Sequence, residues 1–320
     1  LIFQQIESNS HEEIQAPDTK EEQKVKNVRL PKNIKPLYYY VRLRPYIHGN
    51  FTFDGHVEMT FEALEDTTNV TLHIKDIITK NETIKIVLNE TSEVKIKSHQ
   101  YDHERQFYIA QLEESLKKDK IYIISMDFVG YLNTQLSGFY RSSFKDKNGK
   151  TKWLASTQFE ATSARKAFPC MDEPALKANF TIEIGREENM TSLSNMPLKE
   201  TVPMEGEPGW FWDKFEESVK MSTYLVAFVV SDFKYLESNI KTNYTFKDSG
   251  EFYYVYLKFG LGERGVHLPY AEHAVKIGPS ASKFFENFFM VPFPLPKQDM
   301  IAIPDFSKGA MENWGLITYR

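Results

Sequence analysis

The sequence predicts a mainly β fold, with an antiparallel saddle or sandwich over about residues 28–233, and three observations favour it. Apolar and polar residues alternate in short runs such as 57–63 and 70–75, which is the pattern of a strand with one solvent-exposed face. Such runs recur about every 10–14 residues between turns rich in Asn, Thr and Asp, which is typical of antiparallel all-β domains. A length of 320 residues suits two domains.

The pattern changes near residue 234, where we place a domain boundary. An aromatic strand is predicted over 251–259, and a helix over 270–289, because one side of that helix is apolar: Ala274, Ile277, Ala281, Phe284, Phe285 and Phe288. Pro279 is expected to kink or split this helix. The three prolines of 291–296 predict a rigid loop.

Composition excludes several protein classes. The formal net charge is −5 and the pI about 6.0, which argues against a nucleic-acid partner, since such proteins carry a basic field. The longest apolar run, 224–230, is far shorter than the roughly 18 residues that a membrane helix needs. Residues 4 to about 27 are polar and charged without periodicity, which predicts a flexible stalk over 1–27. Because the sequence starts at Leu1 and stops within a strand-like run, we expect a piece of a longer protein.

Sites for N-linked glycans are unusually frequent. Seven Asn-x-Thr acceptors occur where chance predicts about two, at Asn50, Asn69, Asn81, Asn89, Asn179, Asn189 and Asn243. Because a cytosolic chain has no reason for this enrichment, we expect an extracellular or secretory-lumen location, with the longer protein anchored in the plasma membrane.

No zinc site can be defended from spacing. A metalloprotease helix requires His-Glu-x-x-His, but His11-Glu12 and His103-Glu104 lack the second histidine. His99 and His103 have helical ligand spacing, but their polar surroundings predict a solvated loop. We therefore expect no metal ligand in this chain.

Two segments are not explained by periodicity. The first is 158–174, Gln-Phe-Glu followed by Ala-Arg-Lys-Ala-Phe-Pro-Cys-Met-Asp-Glu-Pro, and the second is 304–314, Pro-Asp-Phe-Ser-Lys-Gly-Ala-Met-Glu-Asn-Trp. The small residues Gly309 and Ala310 leave backbone open to an extended peptide, and the Glu312 carboxylate suits an ammonium. Taken alone, the same residues also fit a glycine bulge on an edge strand with a solvated glutamate.

Together the two segments, with Leu30-Pro31, 35–39 and 292–297, resemble the zinc aminopeptidase family of aminopeptidase N over nearly the whole chain beyond the stalk. Gly-Ala-Met-Glu-Asn at 309–313 is that family's exopeptidase signature. The resemblance implies that 28–233 form an N-terminal β-saddle domain. It also implies that 234–320 form the truncated α+β start of a thermolysin-like catalytic domain.

The resemblance further implies a substrate-binding site. Glu160 and Glu312 would jointly hold the free α-amine of a peptide, and Gln158 would line the pocket for the first side chain. Gly309 and Ala310 would align the peptide backbone. Met311 would border the first pocket, and Asn313 completes the signature. A neutral Gln158 favours neutral first residues such as Ala, Leu or Met.

In the family the zinc motif follows the exopeptidase signature, so we expect zinc only in the longer protein, and an inactive fragment. The expected partners are peptides with a free N-terminus, the remaining catalytic and C-terminal domains, and in the longer protein a second copy of itself. Two alternatives stay open: a glycosylated β-domain that acts as a binding module, and a catalytically dead relative that acts as a receptor.

Overall fold

A computed structural model describes residues 27–88, 92–146, 148–237, 241–245, 252–254, 258–261 and 268–320. The predicted stalk therefore lies almost entirely outside the described residues. Side chains are described for 27–88, 92–146, 148–233, 272–274 and 276–320.

Strands dominate the described residues, which confirms the predicted β class. In chain order they are β1 Ile34–Pro45, β2 Thr52–Ala63, β3 Thr67–His73, β4 Ile77–Thr79, β5 Lys85–Leu88, β6 Ser92–Val94, β7 Ile96–Asp102, β8 Phe107–Leu116, β9 Ile121–Tyr131, β10 Gly138–Lys145, β11 Thr151–Gln158, β12 Asn179–Glu187, β13 Thr191–Ser194, β14 Leu198–Pro203, β15 Trp210–Phe215, β16 Phe228–Ser231, β17 Lys234–Glu237, β18 Lys241–Thr245, β19 Phe252–Tyr254, β20 Lys258–Leu261, β21 Asp299–Ala302, β22 Ala310–Met311 and β23 Leu316–Tyr319. One α-helix is described, α1 Leu268–Phe289, with short 3₁₀ helices at Asn81–Thr83, Ala164–Lys166 and Thr223–Leu225.

The N-terminal strands form three sheets. The largest has the order β14-β15-β12-β1-β2-β9-β5-β6, with β4 also paired to β9; the second is β10-β11-β16-β13 and the third is β3-β8-β7. Nearly all of these neighbours are antiparallel, as predicted, but β1 and β12 run parallel. Local alternation fixes which face of a strand is buried and does not specify the neighbour with which that strand pairs.

The predicted alternation sets the packing of the central strands. Along β2, buried and half-buried residues alternate from end to end, so one face joins the core while the other meets solvent. The core is continuous and rich in aromatic rings; Tyr39 of β1 stacks on Phe180 of β12 with ring centroids 5.0 Å apart. Cys170 is fully buried, and burial raises the pKa of its thiol well above the usual value.

A buried polar network fixes the chain that follows β11. Arg165 Nε donates to the Asp172 carboxylate at 2.9 Å, and the Thr223 hydroxyl donates to the same carboxylate at 2.9 Å. The Asp172 amide donates to Nδ1 of His73 at 3.1 Å. Burial, and then the Arg165 charge, lower the pKa of His73 to about 3, so the ring is neutral and its Nδ1 is available as an acceptor.

Helix α1 confirms the predicted helix and runs through Pro279 without a break. Its apolar side is exposed in this chain rather than packed. The exposed residues are Ile277, Phe284, Phe285, Phe288 and Phe289. Among the described residues, no helix has both the length and the apolarity needed to cross a bilayer.

The described residues beyond 233 form a mixed sheet with the order β17-β20-β21-β23-β22 and a separate antiparallel pair, β18-β19. Of the aromatic strand predicted over 251–259, the parts that the structure describes are β19, Phe252–Tyr254, and the start of β20, Lys258–Leu261; residues 251 and 255–257 lie outside the described residues. The predicted proline loop follows α1, where the buried Glu286 carboxylate accepts a hydrogen bond from the Phe293 amide at 2.9 Å. The domain boundary near 234 remains a prediction.

Candidate active site

The first site segment begins where β11 ends. Gln158 is the last residue of that strand and is buried, and Phe159 is fully buried between the rings of Phe168 and Phe228. The next residue, Glu160, keeps its side chain partly open to solvent. The buried aromatic ring therefore anchors the backbone immediately before the Glu160 carboxylate.

Gln158 has an unusual environment. Within the described part of the chain, neither its Oε1 nor its Nε2 has a hydrogen-bond partner, although both atoms are buried. An unpaired buried amide is costly, on the order of 1–3 kcal/mol. A polar group left in this state is suited to accept a partner that binds there.

The second site segment is anchored to the N-terminal sheets at its start. The Asp305 carboxylate accepts hydrogen bonds from the Ser142 hydroxyl at 3.0 Å and the Ser143 amide at 2.9 Å. The Tyr140 hydroxyl donates to the Asp305 carbonyl at 3.0 Å. These bonds attach the approach to β22 to strand β10.

A second anchor follows the exopeptidase signature. Nδ2 of Asn195 donates to the Trp314 carbonyl at 2.7 Å, and the buried Lys297 ammonium donates to the Gly315 carbonyl at 2.8 Å. Lys297 also contacts the Ser194 carbonyl and the Asp299 carboxylate. The signature is thus held from both ends against the N-terminal sheets.

Between these anchors, β22 is an edge strand. It pairs only with β23 in the described sheet, through Ala310 opposite Tyr319 and Met311 opposite Thr318. Met311 is fully buried, whereas Ala310 and Glu312 are exposed. Glu312 and Ala310 therefore share the exposed side, and a Cβ added at Gly309 would meet no heavy atom within 4 Å.

Asn313 is buried, and its Nδ2 donates to the Thr318 hydroxyl at 3.3 Å. This contact closes the turn between β22 and β23. The contact described for Asn313 joins it to Thr318 of the same segment and does not involve a substrate. Its role in substrate binding therefore remains a prediction.

The two segments meet through an ion pair. The Lys308 ammonium contacts the Glu160 carboxylate, although 148 residues separate them in sequence. The structure thus brings Glu160 to the residue immediately before Gly309, and Glu312 lies on the exposed side of the same segment. The contact shown is that of Glu160 with Lys308; a carboxylate in either segment is a suitable acceptor for an ammonium, and the exposed edge of β22 is suited to an extended peptide.

Sequence reasoning missed Asp305, Asn195, Lys297 and Lys308. All four act through contacts with residues far away in the chain, for which neither spacing nor periodicity gives a signal. The sequence analysis likewise assigned no role to Gly315. The structure shows why a glycine is needed there: its φ is +77°, and an added Cβ would lie 2.0 Å from the Asn195 carbonyl oxygen.

We expect Gly315→Ala to destabilise the fold by about 2–3 kcal/mol, because it combines a disfavoured positive φ with a steric overlap. Gly206→Ala is the matched control, since Gly206 has a φ of +74° but open space around an added Cβ; its expected cost is about 1 kcal/mol. Urea denaturation followed by tryptophan fluorescence measures both. Equal costs for the two variants would contradict the packing argument.

The predicted glycan acceptors differ in exposure. Asn50, Asn81 and Asn189 are exposed, whereas Asn69 and Asn179 are half-buried. Nδ2 of Asn179 already donates to Glu217 and to the Ser218 carbonyl, at 2.9 Å each. Asn89 and the side chain of Asn243 lie outside the described residues.

The prediction of a solvated loop is wrong for His99 and confirmed for His103, which is exposed in the turn between β7 and β8. His99 lies in β7, where its Nδ1 contacts the Tyr108 hydroxyl at 2.9 Å and its ring stacks on that tyrosine. Pairing with β8 keeps residues 96–102 in a strand although the segment is polar. Among the described residues, no three His, Cys, Asp or Glu side chains are grouped so as to hold a metal ion, so no zinc ligands are assigned to them.

Two comparisons with known proteins, one with family models and one with individual sequences, indicate the same family. The model for the Peptidase M1 N-terminal domain matches residues 35–225, and the model for the Peptidase family M1 domain matches 273–320. The chain is 38% identical over 299 residues to Endoplasmic reticulum aminopeptidase 1 of Mus musculus and 35% identical over 301 residues to Aminopeptidase N of Homo sapiens. It is 38% identical over 297 residues to Puromycin-sensitive aminopeptidase of Caenorhabditis elegans.

These alignments cover 92%, 91% and 92% of this chain but only 30%, 30% and 29% of the respective relatives. The chain therefore spans about a third of the length of the proteins that it matches.

Proposed function

Because the chain belongs to peptidase family M1, we propose that it is the N-terminal part of a zinc-dependent aminopeptidase that removes single neutral residues from peptides. The observation that carries this proposal is the junction of Glu160 with the 308–312 segment. The ion pair joins the Glu160 carboxylate, in the turn that follows β11, to Lys308, two residues before the edge strand β22. The second carboxylate, Glu312, directly follows that strand.

In this proposal Glu160 and Glu312 bind the protonated α-amine of the substrate. An ammonium has three donors, so it can bond two carboxylates at once. An internal peptide bond offers no cation, so binding one here would cover the two carboxylates without a counter-charge, which is costly. The pair would therefore select a chain end, which is the defining property of an exopeptidase.

The first side chain of the substrate would enter beside Gln158. The buried amide of Gln158 has no hydrogen-bond partner among the described residues, so its polar atoms are open to the backbone groups of a bound peptide. A neutral amide favours neutral side chains over charged ones. Met311, buried behind the edge strand, would form an apolar border of the same pocket.

The substrate backbone would lie along Gly309 and Ala310. The outer edge of β22 has no neighbouring strand in the described sheet, and such an edge can pair with an extended peptide. No side chain at Gly309 obstructs that approach. The anchors at Asp305 and Gly315 hold this edge in place before substrate binds, which lowers the ordering cost of binding.

Zinc, when bound in such enzymes, supplies an activated water as nucleophile. The sequence contains no His-Glu-x-x-His, so in this proposal the metal ligands belong to a further part of the protein. That further part would also cover the exposed aromatic side of α1. Secretion, glycosylation at the acceptor asparagines, membrane anchoring and a homodimer are parts of the same proposal, and the three exposed acceptors support the glycosylation.

The test compares a chromogenic leucine amide with its N-acetylated form, using the full-length protein. We expect zinc-dependent turnover of the free-amine substrate and none of the acetylated one. The 320-residue chain alone should turn over neither. Turnover of both substrates would contradict amine recognition and indicate a peptidase that does not require a free N-terminus. Turnover of neither by the full-length protein would favour a non-catalytic function, such as a binding module or receptor.

A further inference from the structure

The Lys308–Glu160 ion pair occupies the carboxylate to which the proposed function assigns the substrate amine. Both side chains keep contact with water, with 43% of Lys308 and 37% of Glu160 exposed. An ion pair with this exposure is weak, because water competes for both partners. It can therefore open without disturbing the fold.

The ammonium of a lysine and the α-ammonium of a peptide are the same kind of ligand. Each offers three donors to a carboxylate acceptor. We propose that Lys308 is an internal competitor for the substrate amine at Glu160, so that it sets the apparent affinity of this enzyme for peptides with a free N-terminus. This inference rests on the proposed function.

The surrounding geometry allows the lysine to leave by side-chain rotation alone. The backbone on one side is held by Asp305, and on the other side by the pairing of β22 and by the Arg320 amide, which donates to the Gly309 carbonyl at 3.1 Å. Ser307, Gly309 and Ala310 are exposed. A long, flexible lysine stem on a fixed backbone can therefore swing towards solvent when an incoming amine binds Glu160.

Competition predicts a particular kinetic pattern. Only the fraction of molecules with Glu160 free binds substrate directly, so the apparent affinity falls in proportion to that fraction. For a pair of this exposure, the expected factor is about 2- to 6-fold. The rate of the bound complex is unaffected, because Lys308 has by then been displaced. A lysine that only clamps the strand would have the opposite effect, since its removal would loosen the site.

The experiment measures KM and kcat for the chromogenic leucine amide in the full-length protein. We expect Lys308→Met to lower KM about 2- to 6-fold with kcat within about twofold of wild type. Inhibition by free leucine should tighten by the same factor, while inhibition by N-acetyl-leucine should not change. Lys308→Arg retains a cation and should keep KM near the wild-type value.

Lys214→Met is the matched control, because Lys214 forms a similarly exposed pair with Glu200 in the β14–β15 hairpin; it should leave KM unchanged. An unchanged or raised KM in Lys308→Met, with the wild type still selective for the free amine, overturns the inference alone. A wild-type enzyme without that selectivity overturns the proposed function. The two failures are thus distinguishable.

Discussion

Glu312→Gln is expected to lower kcat/KM for a free-amine substrate by about 10²- to 10³-fold. The amide keeps the size of the side chain but removes the charge that pairs with the α-ammonium. Removing one partner of a desolvated, hydrogen-bonded charge pair costs about 2–5 kcal/mol, and each 1.4 kcal/mol is a factor of ten. Steady-state kinetics of the full-length protein on a leucine amide measures the loss.

Glu160→Gln should give a loss of similar size, because it removes the other carboxylate of the same cation site. Glu200→Gln is the control: Glu200 is an exposed glutamate on β14, and its substitution should not change kcat/KM. Undiminished rates in Glu312→Gln would remove that residue from the site and leave the exposed edge strand without an assigned role.

Arg165→Met is expected to destabilise the N-terminal sheets by about 3–5 kcal/mol. The Arg165 side chain is 9% exposed and that of Asp172 is 1% exposed. Removing the cation would leave a carboxylate buried without its main counter-charge, which is far more costly than losing a surface pair. Urea denaturation followed by the fluorescence of Trp153, Trp210 and Trp212, all in N-terminal strands, measures the change.

Arg29→Met supplies the matched control. Arg29 pairs with Glu173, the residue next to Asp172, but its side chain is 68% exposed. Its loss should cost less than about 1 kcal/mol. If both variants lost the same small amount, the 160–172 segment would not depend on the buried pair, and the placement of Glu160 would need another explanation.

Local alternation of apolar and polar residues predicted N-terminal strands. The alternation in 57–63 corresponds directly to β2, which has one buried face. That in 70–75 predicted the strand β3 but not its packing, because Thr71 and His73 are buried as well as Val70 and Leu72. Pairing could not be predicted in the same way. Strands β1 and β12 pair in parallel although β2 to β11 lie between them in the sequence. No local sequence pattern indicates such a long-range pairing.

Helix α1 also shows that a local pattern predicts an element but not its packing partners. Periodicity predicted the helix and its apolar side, but not what covers that side, and the structure leaves it exposed. Pro279 was expected to kink or split the helix, and α1 is not split but continues through Pro279. The loss of one backbone hydrogen bond at a proline is thus not enough to end this helix.

The candidate site required more than residue spacing. Open backbone at Gly309 and Ala310 was predictable from small side chains, and the structure adds that this strand is a sheet edge. The pairing of Glu160 with the 308–312 segment was not predictable from spacing. Only the resemblance to a known family joined Glu160 and Glu312 in advance, and the Lys308 contact had no sequence signal at all.

A double-mutant cycle on kcat/KM tests the central claim most directly, namely that Glu160 and Glu312 bind one and the same ammonium. It uses wild type, the two single Glu→Gln variants and the double variant in the full-length protein. Groups that share a ligand are coupled, whereas independent sites are additive. We predict that the double variant departs from the product of the single effects by more than about threefold. Agreement with that product to within about twofold would contradict a shared amine site.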